Sequence, residues 1–208
     1  MRPARPQDAE PVAHLQLQTW KAVYGDLLPA AALELPLDQV AAVWLNAIEA
    51  PPSPRHRLLV ALEQAEVVGF AASEPATDDD LGAAPPDGTA PPAATTPPVV
   101  AAPPATQAHD SASALAPPPA AVELTAFLVE PRWSRRGHGS RLLTASVDHW
   151  RGDGFATAVH WAFEADTVLA DFLASAGWGF DGQARGLDTG PRVVPQRRLH
   201  TNLAQPPA

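Results

Sequence analysis

Two glycines one residue apart, set among arginines where an apolar run gives way to a helical pattern, are the residues of this chain best placed to do chemistry. Residues 127–143 read Phe-Leu-Val-Glu-Pro-Arg-Trp-Ser-Arg-Arg-Gly-His-Gly-Ser-Arg-Leu-Leu. Glycine allows close backbone approach, the first N–H groups of the following helix lack intrahelical acceptors, and the helix dipole adds positive charge at the same point. Arg135, Arg136 and Arg141 reinforce that sign. The pattern predicts a cradle for a phosphate, lined by Ser134, Arg135, Arg136, Gly137, His138, Gly139 and Ser140. The backbone at His138, not its ring, is expected to face the anion, leaving the ring an exposed group beside the phosphates. A tight turn with surface arginines is the competing reading, and the flanking strand and helix weigh against it.

Other chemistries have less support. The chain has no cysteine, which removes disulfides, thiolate metal sites and thiol nucleophiles. His149 and His160 have no Glu, Asp or Cys at ligand spacing, so no metal is expected. No Ser/His/Asp arrangement stands out. The net charge is −9, yet residues 58–131 hold ten acidic residues and no Lys or Arg, so the remainder is near neutral. One compact basic cluster suits a small phosphorylated ligand better than nucleic acid. No apolar run approaches membrane-spanning length and no leader pattern opens the chain, so a cytoplasmic protein without membrane association is expected.

The elements that must hold the cradle follow from periodicity. Asp8–Tyr24 carries Val12, Leu15, Thr19 and Trp20 or Val23 at helical spacing, and Leu37–Ala50 repeats it with Val40, Val43, Trp44, Ala47 and Ile48. Residues 57–61 and 66–72 read as a hairpin, and the first three residues as a short edge strand. Strands are expected at 122–129 and 157–163. Helices are expected at 139–151, with Leu143, Val147 and Trp150 inward, and at 167–176, buried along Val168, Leu169, Phe172 and Leu173. Residues 180–187 and 193–199 close as two strands around Asp188-Thr189-Gly190-Pro191. This order predicts an α+β fold, a mixed sheet with helices on both faces.

From Pro75 to Ala120 the chain is mostly Ala, Pro, Thr, Asp and Ser, with five proline pairs or triplets. Too few large apolar groups are present to offset chain entropy, and each proline removes a backbone donor. Residues 1–203 are therefore expected to form one domain, interrupted over 75–120 by a disordered insertion and followed by a short tail, 204–208. A long excursion between two strands costs little in closure entropy.

The stretch Val129-Glu130-Pro131 followed by Ser134-Arg135-Arg136-Gly137-His138-Gly139 resembles the signature of the GNAT superfamily of acyl-CoA N-acyltransferases. There a strand ending Val-x-Pro precedes (Gln/Arg)-x-x-Gly-x-(Gly/Ala) and a helix that receives the coenzyme A pyrophosphate. Ser134 departs from the pattern, substituting a hydroxyl for a longer side chain. Arg2-Pro3-Ala4, Asp8-Ala9, Trp20, Tyr24 and Leu28-Pro29 are similar to the first helix and loop of many such enzymes. Trp161-Ala162-Phe163-Glu164-Ala165-Asp166 is similar to a fifth strand that ends in Asn, here Asp166, and Ala176-Gly177-Trp178 to the Ala-Gly-Trp/Phe after the fourth helix. The resemblance covers roughly 1–75 and 120–203.

It implies the GNAT fold, a mostly antiparallel mixed sheet whose fourth and fifth strands splay apart, and acetyl transfer from acetyl-CoA to an amine. By resemblance, Phe127, Leu128, Val129, Asp166 and Phe172 join the cradle in holding the cosubstrate, and an N–H near Leu128 or Val129 polarises the thioester. Glu123 occupies the position of a general base. The family's proton-donating Tyr is replaced by Leu173, which reads as core. Tyr24, the only tyrosine, is a candidate catalytic group or, with Trp20, part of the acceptor pocket. The acceptor would be a small amine or a peptide, and related folds often pair through terminal strands, which allows a homodimer. An acyl-CoA-binding module without turnover is the main alternative. An interaction or nucleic-acid-binding protein using the proline-rich segment or the arginine cluster is the other.

Overall fold

Apolar residues on the inner strands of a seven-stranded sheet separate two hydrophobic layers, and the helices fold onto each. The computed structural model describes residues 1–77, 80–81 and 121–204. In chain order the elements are β1 (Arg2–Pro3), α1 (Ala9–Tyr24), α2 (Ala30–Leu33), α3 (Leu37–Glu49), β2 (Arg57–Glu63), β3 (Glu66–Pro75), β4 (Ala121–Val129), α4 (His138–Gly152), β5 (Thr157–Phe163), α5 (Thr167–Ser175), β6 (Gly179–Asp188) and β7 (Val193–Asn202). The sheet order is β1-β2-β3-β4-β5-β7-β6, and only β4 and β5 run parallel. This is the expected mixed sheet with helices on both faces.

One layer joins Leu59, Ala61, Val68, Ala71, Val122, Leu124 and Phe127 to α4 and α5 through Leu142, Leu143, Trp150 and Leu173. The opposite layer joins Val60, Phe70, Ala72 and Leu128 to α1 and α3 through Val12, Leu15, Trp20, Val40 and Trp44. Two buried polar links pin these layers: Trp44 Nε1 donates to Gln16 Oε1 at 2.6 Å, and Trp150 Nε1 to Ser73 Oγ at 2.9 Å. Pairing buried donors in this way avoids a desolvation cost of roughly 1–3 kcal/mol each.

A bulge in β4 sets the site. Ala126 pairs with Ala72 and Leu124 with Ser73, so Thr125 is the extra residue. The inserted residue reverses the alternation, which sends Phe127 to the α4 and α5 layer and Leu128 to the α1 and α3 layer. The pairing of β4 with β5 covers only Ala121–Glu123 against Thr157–Val159, although β4 continues to Val129 and β5 to Phe163. Beyond Glu123 the strands therefore share no ladder, and the expected splay lies there.

Four details differ from the sequence reading. The short helix α2 has no helical period to announce it, being four residues long. β3 runs through Pro75, which pairs with Val122, and Ala76 N–H donates to Ala121 C=O, so the sheet extends past the anticipated boundary. Asp80 and Leu81 are described as well, whereas the rest of the anticipated 75–120 disorder and residues 205–208 lie outside the described residues. On α5 only Leu173 is buried, with Leu169 and Phe172 packed part-buried beside it, and Val168 is 80 % exposed, because a nine-residue helix offers the core one short contact line.

Candidate active site

The turn before α4 is built by backbone conformation. Gly137 has φ +78°, in the left-handed region that favours glycine, and Arg135 has φ +62°. Arg141 N–H donates to Gly137 C=O at 3.1 Å, the first bond of the helix, which leaves the amides of His138, Gly139 and Ser140 without helical partners. Among the described residues no hydrogen bond is made by the amides of Arg135, Arg136 or Gly137 either. A run of unpaired N–H groups with a helix dipole behind it fits an anionic ligand. Arg136 lies 4.7 Å above the Trp133 ring, and Ser134, Arg135, Arg136 and Ser140 are exposed.

Gly139 has a further contact beyond the turn itself. A β-carbon there would sit 3.4 Å from Phe172 and 3.8 Å from Phe127, whose rings stack at 5.5 Å between centroids. The helix start thus lies against this aromatic pair, close enough that an added methyl would be in van der Waals contact with both rings. His138 also departs from expectation: it is 2 % exposed, edge-on to Trp133, with Nε2 3.3 Å from the Glu63 carboxylate but not aligned for a hydrogen bond. The first residue of α4 points its side chain down into the protein, and only its amide remains at the turn.

β4 leads from this turn to the apex of the splay. Glu130 N–H bonds Val68 C=O on β3 at 3.0 Å, so by strand alternation the N–H groups of Val129 and Phe127 point away from β3, toward the gap. Glu123 stands at the last paired position, about 20 Å back along the strand at ~3.3 Å per residue. It is only 7 % exposed. Burial, then the bond and charge of the neighbouring Asp80 carboxylate, push the Glu123 carboxyl up to about 8, with Glu74 adding to the rise and Arg185 opposing it. Glu74, opposite on β3, is raised to about 7 by burial and by Asp80.

Asp80 behaves the other way. Burial favours its neutral form, but bonds from Glu123 and from Thr77, with the Arg185 charge, hold it below the usual carboxylate range. Its carboxylate accepts from Thr77 N–H at 2.7 Å and Thr77 Oγ1 at 2.6 Å, and lies 3.8 Å from Arg185. Its carbonyl accepts from Arg198 at 2.9 Å and from Trp161 Nε1 at 3.3 Å. Arg185 stacks over Trp161 at 4.3 Å.

Tyr24 and Asp166 meet at 2.5 Å, the phenol donating to one carboxylate oxygen, while the other accepts from Leu169 N–H at 3.0 Å and caps α5. Burial, and then Asp166, raise Tyr24 far above its ordinary value. Trp20 is buried in the α1 and α3 layer, Leu128 is buried beside it, and Leu173 is fully buried. His160 Nδ1 donates to Leu124 C=O, 2.6 Å away, on the face of β5 that carries Ala158 and Ala162 to the α4 and α5 layer.

Among the sequence-selected residues, the structure gathers Phe127, Gly139 and Phe172 at the start of α4, Tyr24 and Asp166 at the α1–α5 junction, and leaves Glu123 at the apex with partners that its sequence context does not mark. Those partners are Glu74, Asp80, Trp161 as a neighbour of Asp80, and Arg185. Asp80 stands in an acidic, proline-rich context whose composition signals an excursion and gives no sign of return. Among the described residues no group of three or more His, Cys, Asp or Glu is arranged to hold a metal ion, and no helix is long and apolar enough to cross a membrane.

Solved structures similar to this one include yncA of Salmonella typhimurium, described as an acetyltransferase with its cofactor acetyl-CoA, at TM-score 0.61 and 15 % identity over 100 % of this chain and 95 % of that one. The paiA N-acetyltransferase of Thermoplasma acidophilum in complex with coenzyme A gives TM-score 0.61 and 12 % identity over 97 % and 96 %. Ribosomal-protein-alanine N-acetyltransferase of Brucella melitensis gives 0.55 and 15 % over 97 % and 98 %. At these identities the likeness is one of fold. No curated protein matches the chain. The model of the acetyltransferase (GNAT) family matches residues 20–178, which span the α1 end, the splayed strands and the cradle, and the chain belongs to that family.

Proposed function

We propose that the protein is an acetyl-CoA-dependent N-acetyltransferase acting on a primary amine of a small molecule or peptide by direct attack. The observation that carries this reading is the line from unpaired amides at the α4 turn, along an opened edge of β4, to a buried carboxyl at the apex. A ligand that satisfies it must be elongated, anionic at one end and reactive at the other. Acetyl-CoA fits: the amides of Arg136–Ser140 would hold its pyrophosphate, Phe127 and Phe172 would flank its arm, and Val129 N–H would face its carbonyl. Asp166 would offer little beyond its two existing bonds. When bound, the cosubstrate supplies an acyl group on a good leaving thiolate.

The chain's own residues then position and deprotonate the amine. An ammonium must give up a proton before its nitrogen can form a bond, and Glu123, ~20 Å along β4 from Val129, would accept it through a chain of waters. A carboxylate near 8 is far better matched to an alkylammonium than an ordinary one near 4.5. Over the whole reaction the nitrogen gains the acetyl group, the thiolate keeps one of the two protons lost from nitrogen, and the other returns from Glu123 to solvent.

A second reading, acyl-CoA binding without turnover, is favoured by particular side chains. Leu173 is buried and carries no proton, Tyr24 is bonded to Asp166, and Ser175 Oγ is turned back to Phe172 C=O at 2.6 Å. Two measurements separate the readings. Acetyl-CoA should raise the melting temperature of the full chain, and the double variant Arg136→Glu, Gly137→Pro should abolish that rise. Free thiol released over an amine panel should then identify an acceptor. Stabilisation without thiol release for any amine selects the binding module, and stabilisation that survives the double variant overturns the cradle.

A further inference from the structure

We propose that Asp80 is a positioning residue for the Glu123 base: anchored to three strands at the head of the long excursion, its carboxylate shares one proton with Glu123 and keeps that proton on Glu123. The inference rests on the reading of Glu123 given above and adds to it a residue from a segment that looks, in composition, like a linker.

Geometry supports the assignment. Asp80 is fixed through its backbone, since its carbonyl accepts both the Trp161 indole on β5 and the Arg198 guanidinium on β7. Arg198 is itself held by Asp181 on β6, at 2.7 and 2.8 Å. With the backbone fixed, Thr77 aims the carboxylate from one side with two donors, an amide and a hydroxyl. The same carboxylate makes a side-chain hydrogen bond with Glu123 and has Arg185 3.8 Å away. Two carboxyl groups joined by a hydrogen bond hold a single proton, because two adjacent anions repel and two neutral acids would waste the Thr77 donors.

The other charged groups facing Glu123 do not replace this role. Glu74 on β3 sits opposite and has His56 3.9 Å away on its far side. Arg185 on β6 reaches both Glu123 and Asp80 as a counter-charge and shares its Nε with Gln196 at 2.8 Å. His160 lies on the opposite face of β5. Only Asp80 among them is bonded to the Glu123 carboxyl. When Glu123 is ionised, the pair carries two negative charges, and a proton leaving an ammonium nitrogen restores the singly charged pair. Asp80 therefore makes Glu123 a stronger base without touching the acceptor.

The test is a titration of the carbon-13-labelled full chain, followed through carboxyl signals, which needs no acceptor. The Glu123 signal is assigned by its loss in Glu123→Gln. In the native protein the Asp80 and Glu123 signals should inflect together, at a midpoint near 8. In Asp80→Asn the Glu123 midpoint should fall by about one pH unit or more, toward the ordinary value. Separate inflections in the native chain, a measurement independent of how the variant folds, overturn the shared proton. An unmoved Glu123 midpoint in Asp80→Asn does the same. With an acceptor in hand, the acid limb of kcat/KM should follow the same shift in Asp80→Asn and disappear in Glu123→Gln. A limb that persists in Glu123→Gln removes the base reading itself, whereas a limb lost there but unmoved by Asp80→Asn removes only the role of Asp80.

Discussion

Glu123 couples the proposed chemistry to stability, and the sign follows from its direction of shift. Its carboxyl is raised in the folded protein from 4.5 to about 8, so the folded state binds the extra proton between those values. The stabilisation is complete below 4.5 and is lost as pH rises through about 8. Glu123→Gln removes this dependence, and its unfolding free energy should gain on that of the native protein as pH rises from 5 to 9, by an amount on the order of a few kcal/mol. A constant difference across that range would show that Glu123 is solvated. In turnover the same substitution should lower kcat by roughly 10²–10⁴-fold. Gly137 offers a test of the turn. An added β-carbon meets only the tip of the Arg141 side chain, 3.1 Å away, but φ +78° strains any L residue. Gly137→Ala should cost about 1 kcal/mol in denaturant unfolding and weaken acetyl-CoA binding more than it weakens the fold.

At the scale of elements, Leu173 is the one fully buried side chain of α5, with Leu169 and Phe172 packed beside it. Leu173 is fully buried among α4, the sheet and Trp178, whereas Val168 faces solvent. Leu173→Ala should destabilise by about 2–5 kcal/mol, as large-to-small core changes do, and Val168→Ser should stay within ~0.5 kcal/mol. The sequence reading placed both on one buried stripe, because a 3.6-residue period records which residues share a face and not how much of that face the neighbouring elements reach. The β4 bulge was equally silent. Val122, Leu124, Phe127 and Leu128 are all apolar, so the change of phase at Thr125 leaves no mark on a strand buried on both sides. That change nevertheless determines which layer Phe127 enters, and hence the Phe127–Phe172 stack on which Gly139 rests.

Across the whole molecule, the open side of the β4–β5 gap is bridged by contacts remote in sequence. Tyr24 reaches Asp166, and Asp80 reaches β5, β6 and β7 through Trp161, Arg185 and Arg198. Tyr24→Phe should lower thermal stability by about 1 kcal/mol, the net worth of one such bond, while leaving the edge packing on Phe163 in place. The excursion itself should be dispensable to the fold. Pro75 and Val122 are already paired, so replacing residues 82–120 by a short Gly/Ser linker should keep a cooperative unfolding transition with a melting temperature within a few degrees. Loss of cooperative unfolding would make the excursion part of the core. Extending the cut through Thr77–Leu81 should leave the melt similar but bring the Glu123 midpoint down, which separates the anchored head from the rest.

What the sequence determined by itself was local. The strands and long helices follow from period and breakers, and the left-handed turn with its unpaired amides follows from the glycines at a strand-to-helix joint, because a backbone conformation and a helix end are properties of a few adjacent residues. The tertiary structure alone decided the surroundings of Glu123, the burial of His138, the pairing of Tyr24 with Asp166 and the return of Asp80. A carboxyl's proton affinity depends on what lies within a few ångströms in space, and here those neighbours come from the excursion, β3 and β6, which no spacing along the chain brings together.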